Sequence, residues 1–277
     1  MSLLQLQINS EEGIYFNMIL DDIAVYRKQQ LEREKSVVSP EEMKKAAEKI
    51  SAPCKDFGGA LKAEGISVIA EVKKASPSKG VIQPDFDPVG TAAQYEKAGA
   101  RAVSCLTEEH YFQGSSKYLQ LIRENISLPI LRKDFIIDSY QIYEAKCIGA
   151  DAILLIAAML DTETIREYRR IAQSLDLYVL AESHNEEELD SVLESGCEII
   201  GINNRNLKTF EVTLETTVRL AERVPKGYTV VSESGIRNNA DIRLLRSCGA
   251  EAVLIGETLM RSGDITGSMR ELIGDGD

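Results

Sequence analysis

From about residue 66 onward, short apolar runs alternate with longer segments whose apolar residues recur at helical spacing. Eight runs read as strands: Val68–Val72, Ala102–Leu106, Pro129–Lys133, Ala152–Ala157, Tyr178–Ala181, Ile199–Asn203, Thr229–Ser232 and Ala252–Ile255. Strands alternating with helical patterns predict βαβ units and a parallel sheet. Helix starts stand between them. Asp87-Pro88 pairs a capping carboxylate with a first-turn proline, and Asp161 offers another cap. Asn185-Glu186-Glu187-Glu188 puts acid where a helix dipole favours it. Upstream, Ile19, Ile23, Tyr26 and Leu31 outline a helical face from Met18 to about Lys35. Ser39-Pro40-Glu41-Glu42 starts a second helix that runs to about Ile50. Residues 1–17 have no clear period and are set apart as an N-terminal extension.

Four joints share one form: Ala98-Gly99-Ala100, Ile148-Gly149-Ala150, Ser195-Gly196-Cys197 and Cys248-Gly249-Ala250. In each, glycine ends a helix and a strand follows. Glycines 99, 149, 196 and 249 differ by 50, 47 and 53, so each interval holds two βα units. An open doubly wound sheet usually carries a glycine fingerprint after its first strand, and neither GxGxxG nor GxxxxGK[ST] occurs. Charge at the strand ends favours closure. Glu71 and Lys73 follow the first strand, Lys133 ends the third, Glu182 the fifth and Glu233 the seventh. Neighbouring strands stand about 4.8 Å apart, so an open sheet would spread these groups over roughly 30 Å. A barrel brings them to one mouth, and alternate strands supply one interior layer. The fold class predicted is therefore α/β, a (β/α)8 barrel. One domain spans residues 18–277, including the N-terminal helices, with the barrel proper at about 66–277.

Composition narrows the function. No apolar run approaches the roughly 18 residues of a membrane span, and no basic stretch with an apolar core marks a secretory leader. The net charge of −12 argues against a nucleic-acid partner but leaves room for a locally positive site for an anionic small molecule. Cys54, Cys105, Cys147, Cys197 and Cys248 are odd in number and far apart, which points to free thiols in the cytoplasm. His110 and His184 form no cluster, so no protein metal site is expected, and both read as loop residues.

The candidate chemistry lies at the strand ends. Glu71 and Lys73 are two apart and share a strand face. A surface ion pair is the plain alternative. Val231-Ser232-Glu233-Ser234-Gly235-Ile236 and Leu254-Ile255-Gly256-Glu257-Thr258-Leu259 follow the seventh and eighth strands. Barrels bind phosphate at these loops, where backbone N–H groups can approach an anion. Ser234, Gly235, Gly256 and Glu257 are the candidates, with Lys73 or Lys79 as balancing charge. Glu71, Lys73, Lys133 and Glu182, with Asn203 and Arg205 nearby, suit cofactor-free acid–base work on a phosphorylated carbonyl compound. Two lysines at one mouth would lower each other's pKa. A Schiff base on Lys133 is the alternative.

Five segments carry a resemblance. They are Ile69-Ala70-Glu71-Val72-Lys73-Lys74-Ala75-Ser76-Pro77-Ser78-Lys79-Gly80, Leu106-Thr107-Glu108-Glu109-His110-Tyr111-Phe112-Gln113-Gly114-Ser115, Pro129-Ile130-Leu131-Arg132-Lys133-Asp134-Phe135, Gly201-Ile202-Asn203-Asn204-Arg205-Asn206-Leu207 and Ser232-Glu233-Ser234-Gly235-Ile236. In order and spacing, from about Met18 to the C-terminus, the chain resembles the indole-3-glycerol-phosphate synthase family of tryptophan biosynthesis. The resemblance implies a substrate, 1-(2-carboxyphenylamino)-1-deoxyribulose 5-phosphate, which undergoes ring closure, decarboxylation and dehydration without metal or coenzyme. It implies Lys133 as general acid at the ribulose carbonyl and Glu182 as general base in the dehydration. Lys73 would protonate the leaving hydroxyl or hold substrate. Glu71 and Asn203 would orient the lysines and sugar hydroxyls, and Arg205 would anchor Glu71 or Glu182.

Ser76, Pro77, Phe112, Phe135, Leu154, Arg205 and Phe210 are the expected substrate contacts, the apolar ones forming an aromatic slot or simply packing. The N-terminal helices would cover that slot or plug the barrel bottom. A monomer is expected. Rival readings are another phosphate-binding barrel, such as phosphoribosylanthranilate isomerase or a Schiff-base aldolase, and a non-catalytic barrel that binds a phosphorylated metabolite. The first of these commonly uses a Cys–Asp pair, and Cys105 has no evident partner.

Overall fold

The apolar runs become parallel strands β1 (Ser67–Val72), β2 (Ala102–Leu106), β3 (Ile130–Lys133), β4 (Ala152–Ile156), β5 (Tyr178–Ser183), β6 (Ile199–Asn203), β7 (Thr229–Glu233) and β8 (Ala252–Ile255). Each pairs with the next, and β1 pairs with both β2 and β8, which closes a (β/α)8 barrel without a free edge. The computed structural model describes residues 3–77, 79–206, 209 and 211–274, with side chains from residue 20 onward. The predicted strands match closely. β3 begins after Pro129, whose carbonyl accepts from Val103 N–H at 3.0 Å but whose nitrogen has no hydrogen to donate. β5 and β7 run on to include Glu182 and Glu233.

Helices Pro88–Lys97, Ser116–Asn125, Tyr140–Cys147, Thr162–Ser174, Glu186–Ser195, Glu215–Ala221 and Asn239–Ser247 follow the first seven strands in turn. Glu257–Met260 and Ile265–Ile273 follow β8. The expected caps form: Asp87, Asp161 and Asn185 accept from the backbone N–H of Gly90, Thr164 and Glu188. The four joint glycines all take positive φ, which a β-carbon would disfavour.

The barrel interior is layered. Ile69, Leu131, Leu180 and Val231 of the odd strands pack with Ala102, Ala152, Ile199 and Ala252 of the even strands. Two residues further along each odd strand, on the same face, stand Glu71, Lys133, Glu182 and Glu233. The outward faces, such as Val68, Ala70 and Val72, join the larger core beneath the helices.

The N-terminal helices divide their work. α1 (Leu3–Val37) is one unbroken helix that begins well before Met18. Its Leu20 and Ile23 reach the barrel mouth. Arg27, 2% exposed, meets Asp134 at 3.5 Å and Glu34 at 3.1 Å and ties α1 to the end of β3. α2 (Pro40–Glu48) starts with a capping box formed by Ser39 and Glu42, and it ends at Glu48, just short of the expected Ile50. The pattern did not show α3 (Phe57–Leu61), whose five residues with two glycines are too short for a helical period. Its Phe57 and Leu61, both fully buried, seal the bottom of the interior layer. An antiparallel pair, Ala75–Ser76 with Gly80–Val81, was likewise not foreseen; it folds the first βα loop back over the mouth. No helix among the described residues is long and apolar enough to cross a membrane.

Phe57→Ala should therefore lower stability by about 3–5 kcal/mol, the usual range for emptying a buried phenyl site. Urea unfolding followed by far-ultraviolet circular dichroism measures it. A loss under about 1 kcal/mol would show that α3 does not seal the barrel.

Candidate active site

The odd-strand layer forms the floor of a cavity of about 770 Å³ at the C-terminal end of the barrel, within the size range of small-molecule sites. Lys133 stands at its centre. Its Nζ donates to Glu182 Oε2 at 3.0 Å and to Glu233 Oε2 at 2.7 Å. Asn203 Nδ2 donates to the other Glu182 oxygen at 3.2 Å, and its own Oδ1 accepts from Arg205 N–H at 3.1 Å. Glu71 pairs with Lys73 through a short contact. The packing makes room for these charges at two glycines. A β-carbon at Gly201 of β6 would come 2.5 Å from Glu233 Oε1, and one at Gly256 would strike the Glu71 carboxylate.

Burial decides the electrostatics. Glu71, Glu182 and Glu233 are each 5% exposed or less. For Lys133, desolvation favours the neutral amine, but Glu182, Glu233 and Glu71 outweigh it and hold the pKa above the ordinary lysine value. For Lys133 this overturns the expectation of a lowered pKa: its immediate partners are carboxylates, and Lys73 is paired with Glu71 instead. Burial would raise Glu182, yet Lys133 and His184 pull it well below the usual carboxylate range. Glu233 goes the other way. Burial raises it, the facing Glu182 and Glu71 carboxylates add to the rise, and Lys133 opposes them. One carboxylate beside Lys133 is thus firmly ionised while its neighbour holds a proton more readily.

Around this floor the mouth has two ends. At one, the Glu108 carboxylate accepts backbone N–H bonds from His110, Tyr111 and Phe112 at 2.7–2.9 Å and sets the loop that carries Phe112. Phe112 and Phe135 face each other with ring centroids 5.8 Å apart. Asp134 fixes the base of this end through Thr107 at 2.7 Å and Arg132 at 3.0 Å. At the other end Ser234 and Gly235 take successive positive φ of 68° and 84°. Gly256 begins the short helix Glu257–Met260. Lys79, Arg205, Arg237 and Arg261 also line the cavity.

Every residue named from the sequence lies on this cavity, with one exception: Phe210 is outside the described residues. Ser76, Pro77, Phe112, Phe135, Leu154 and Arg205 line its walls, as do Lys73, Ser234, Gly235, Gly256 and Glu257. Two assignments change. Asn203 binds Glu182 rather than a lysine, because β6 lies beside β5. Among the described residues the Arg205 guanidinium pairs with neither Glu71 nor Glu182; burial holds its pKa down, with Glu257 the one offsetting charge. Two residues were missed. Glu233 was visible as a charge ending an odd strand but was given no role. His184, read as a loop residue, is buried against Glu182.

A profile of indole-3-glycerol phosphate synthase matches residues 20–272. Indole-3-glycerol phosphate synthase of Alkaliphilus metalliredigens is 52% identical over 256 residues, which cover 92% of this chain and 98% of that one. The enzyme of the same name from Ruminiclostridium cellulolyticum is 51% identical over 259 residues, 93% and 99% of the two chains. Among solved structures, 3-hexulose-6-phosphate synthase of Salmonella typhimurium superposes with a TM-score of 0.58 at 12% identity, covering 75% of this chain and 96% of that one. N-acetylmannosamine-6-phosphate 2-epimerase of Clostridium perfringens gives 0.57 at 15%, covering 72% and 90%. Those two share the barrel fold. By its profile match and by its identity to such relatives, the chain belongs to the indole-3-glycerol phosphate synthase family.

Proposed function

We propose that the protein converts 1-(2-carboxyphenylamino)-1-deoxyribulose 5-phosphate to indole-3-glycerol phosphate, with loss of CO₂ and water, in tryptophan biosynthesis. The observation that carries this reading is the Lys133 ammonium held between Glu182 and Glu233 on the floor of a cavity with an aromatic end and a glycine-loop end. The aminobenzoate ring fits against the Phe112–Phe135 pair, with Pro77 and Leu154 beside it. The phosphate fits the opposite end, against backbone N–H groups of Ser234, Gly235, Gly256 and Glu257. Arg205 and Lys73 supply positive charge along the way. The Glu257 side chain turns instead to Arg261 at 3.1 Å.

Chemistry follows from the floor. As the ring carbon bearing the carboxylate attacks the ribulose carbonyl, negative charge grows on the carbonyl oxygen, and Lys133 delivers a proton to it. A lysine with a raised pKa is fully charged at neutral pH, so Lys133 carries the proton that the forming alkoxide takes up. Loss of CO₂ restores the aromatic ring. Glu182, kept ionised, then takes the proton released in the dehydration, and Lys73 protonates the departing hydroxyl or holds the sugar chain. Glu233 shares Lys133 with Glu182 and so sets where the ammonium points. The same protonation state weighs against a Schiff base, which needs a neutral amine. All these residues come from one chain, which supports action as a monomer, and five free cysteines suit the cytoplasm.

The chain has no Trp, so an indole product would be seen against a low protein background. Mixing protein with the carboxyphenylamino sugar phosphate should raise indole fluorescence without added metal or coenzyme; tight binding with no signal would instead indicate a binding protein. In Lys133→Met, kcat should fall by at least about 100-fold, the lower bound for losing a positioned acid, while substrate still binds. Near-normal turnover there would remove Lys133 from the mechanism. Gly235→Asp places a carboxylate beside the bound phosphate, and its β-carbon meets Val212 Cγ1 at 2.5 Å. KM should rise roughly tenfold or more through like-charge repulsion. An unchanged KM would exclude the glycine loop as the phosphate site.

A further inference from the structure

Glu182 has a support that the reading above does not use. His184 follows it by two residues, with a side chain 5% exposed. Its Nε2 stands 3.1 Å from Glu182 Oε1, in an ion pair without the alignment of a hydrogen bond. Its Nδ1 meets Glu188 Oε2 at 2.8 Å. Glu188 is held in turn by the start of the helix Glu186–Ser195. Its backbone N–H donates to Asn185 Oδ1 at 3.0 Å, its Oε1 accepts from Asn185 Nδ2 at 2.7 Å, and its Oε2 accepts the His184 backbone N–H at 2.9 Å. The cap that starts the helix therefore also sets the angle of the imidazole.

We propose that His184 is a positioning residue for Glu182, and that Glu188 holds His184 in place for that task. The inference rests on the assignment of Glu182 as the general base. The end torsion of a glutamate is broad and soft, so a base aimed at one proton needs both oxygens fixed. Lys133 takes Oε2; Asn203 and His184 take Oε1. Asn203 orients but brings no charge, whereas a doubly protonated imidazole does both. The positive charge also balances a floor on which Glu71, Glu182 and Glu233 face Lys133 and Lys73. His184 itself faces Glu182 from β5 and Glu188 from the following helix. Burial would lower the His184 pKa, but the two carboxylates override it and raise it to about 9. The charged form is complete below about 6.5, the ordinary histidine value, and its contribution is lost as pH rises through about 9.

The test is kcat and KM against pH, with thermal melting, for the wild type, His184→Leu, His184→Gln, Glu188→Gln and Glu182→Gln. In His184→Leu, kcat should fall roughly 10- to 100-fold, the cost of a misplaced catalytic group, with KM within about threefold. His184→Gln, which keeps a donor but no charge, should recover part of the loss. Wild-type kcat should decline as pH passes about 9, and this step should be missing in His184→Gln. Glu188→Gln should move it to lower pH, because the imidazolium loses one of its two anions; this variant decides the matter if His184→Leu does not fold. Wild-type kcat in His184→Leu, or the same alkaline limb in the wild type, His184→Gln and Glu188→Gln, would overturn the inference. So would a fall in melting temperature with kcat per folded molecule unchanged. An inactive Glu182→Gln beside a fully active His184→Leu would overturn this inference alone. Normal turnover in Glu182→Gln would overturn the base assignment as well.

Discussion

The structure depends on a layer of ionisable groups carried on top of an apolar one. Ile69, Leu131, Leu180 and Val231 fill the barrel, and two residues later the same strands present Glu71, Lys133, Glu182 and Glu233. Taking such charges out of water costs several kcal/mol each unless they are paired and well hydrogen-bonded. The floor meets that demand by alternating sign. Lys133 lies between two carboxylates, Lys73 against a third, and Asn203 and His184 complete Glu182. The surroundings then have little freedom to vary. Gly201 and Gly256 must lack a side chain so that Glu233 and Glu71 fit, and α3 must close the bottom so that the layer below stays dry.

That arrangement also explains how closely related groups take different roles. Three carboxylates share the floor, yet they differ in charge and support. Glu182 has two cationic neighbours and ionises readily; Glu233 has one and keeps a proton longer. Fixed charges that need no rearrangement during reaction are the efficient kind, because water would have to reorient at each step. The rigid supports lie outside the floor: Arg132 and Arg27 on Asp134, Glu108 under the Phe112 loop, and the helix cap beneath His184.

Much of this was legible in the residue order. A strand is apolar where it is buried on both faces, so the eight runs and the glycine joints between helix and strand stood out along the chain. Charge at the ends of alternate strands, too far apart in an open sheet, pointed to closure. Glu71, Lys133 and Glu182 could be named because they interrupt that apolar pattern at its edge. Glu233 carried the same signal and was passed over because its segment was read only as a phosphate loop. α3 and the pairing of Ala75–Ser76 with Gly80–Val81 left no signal, since both are shorter than a detectable period.

The sequence by itself determined the strand count, the closed barrel and most of the charged side chains at its mouth, because those follow from burial periodicity and from spacing along single strands. Only the tertiary structure decided which charge meets which. Lys133 lies 49 residues from Glu182 and 100 from Glu233, and nothing local says that a lysine will be flanked by two anions rather than by a second cation. The sign of its pKa shift, the turn of Asn203 toward Glu182 and the burial of His184 all depend on neighbours brought in by other strands. Sequence sets which groups can ionise at the mouth; the packing of eight strands into one ring sets how strongly each does so.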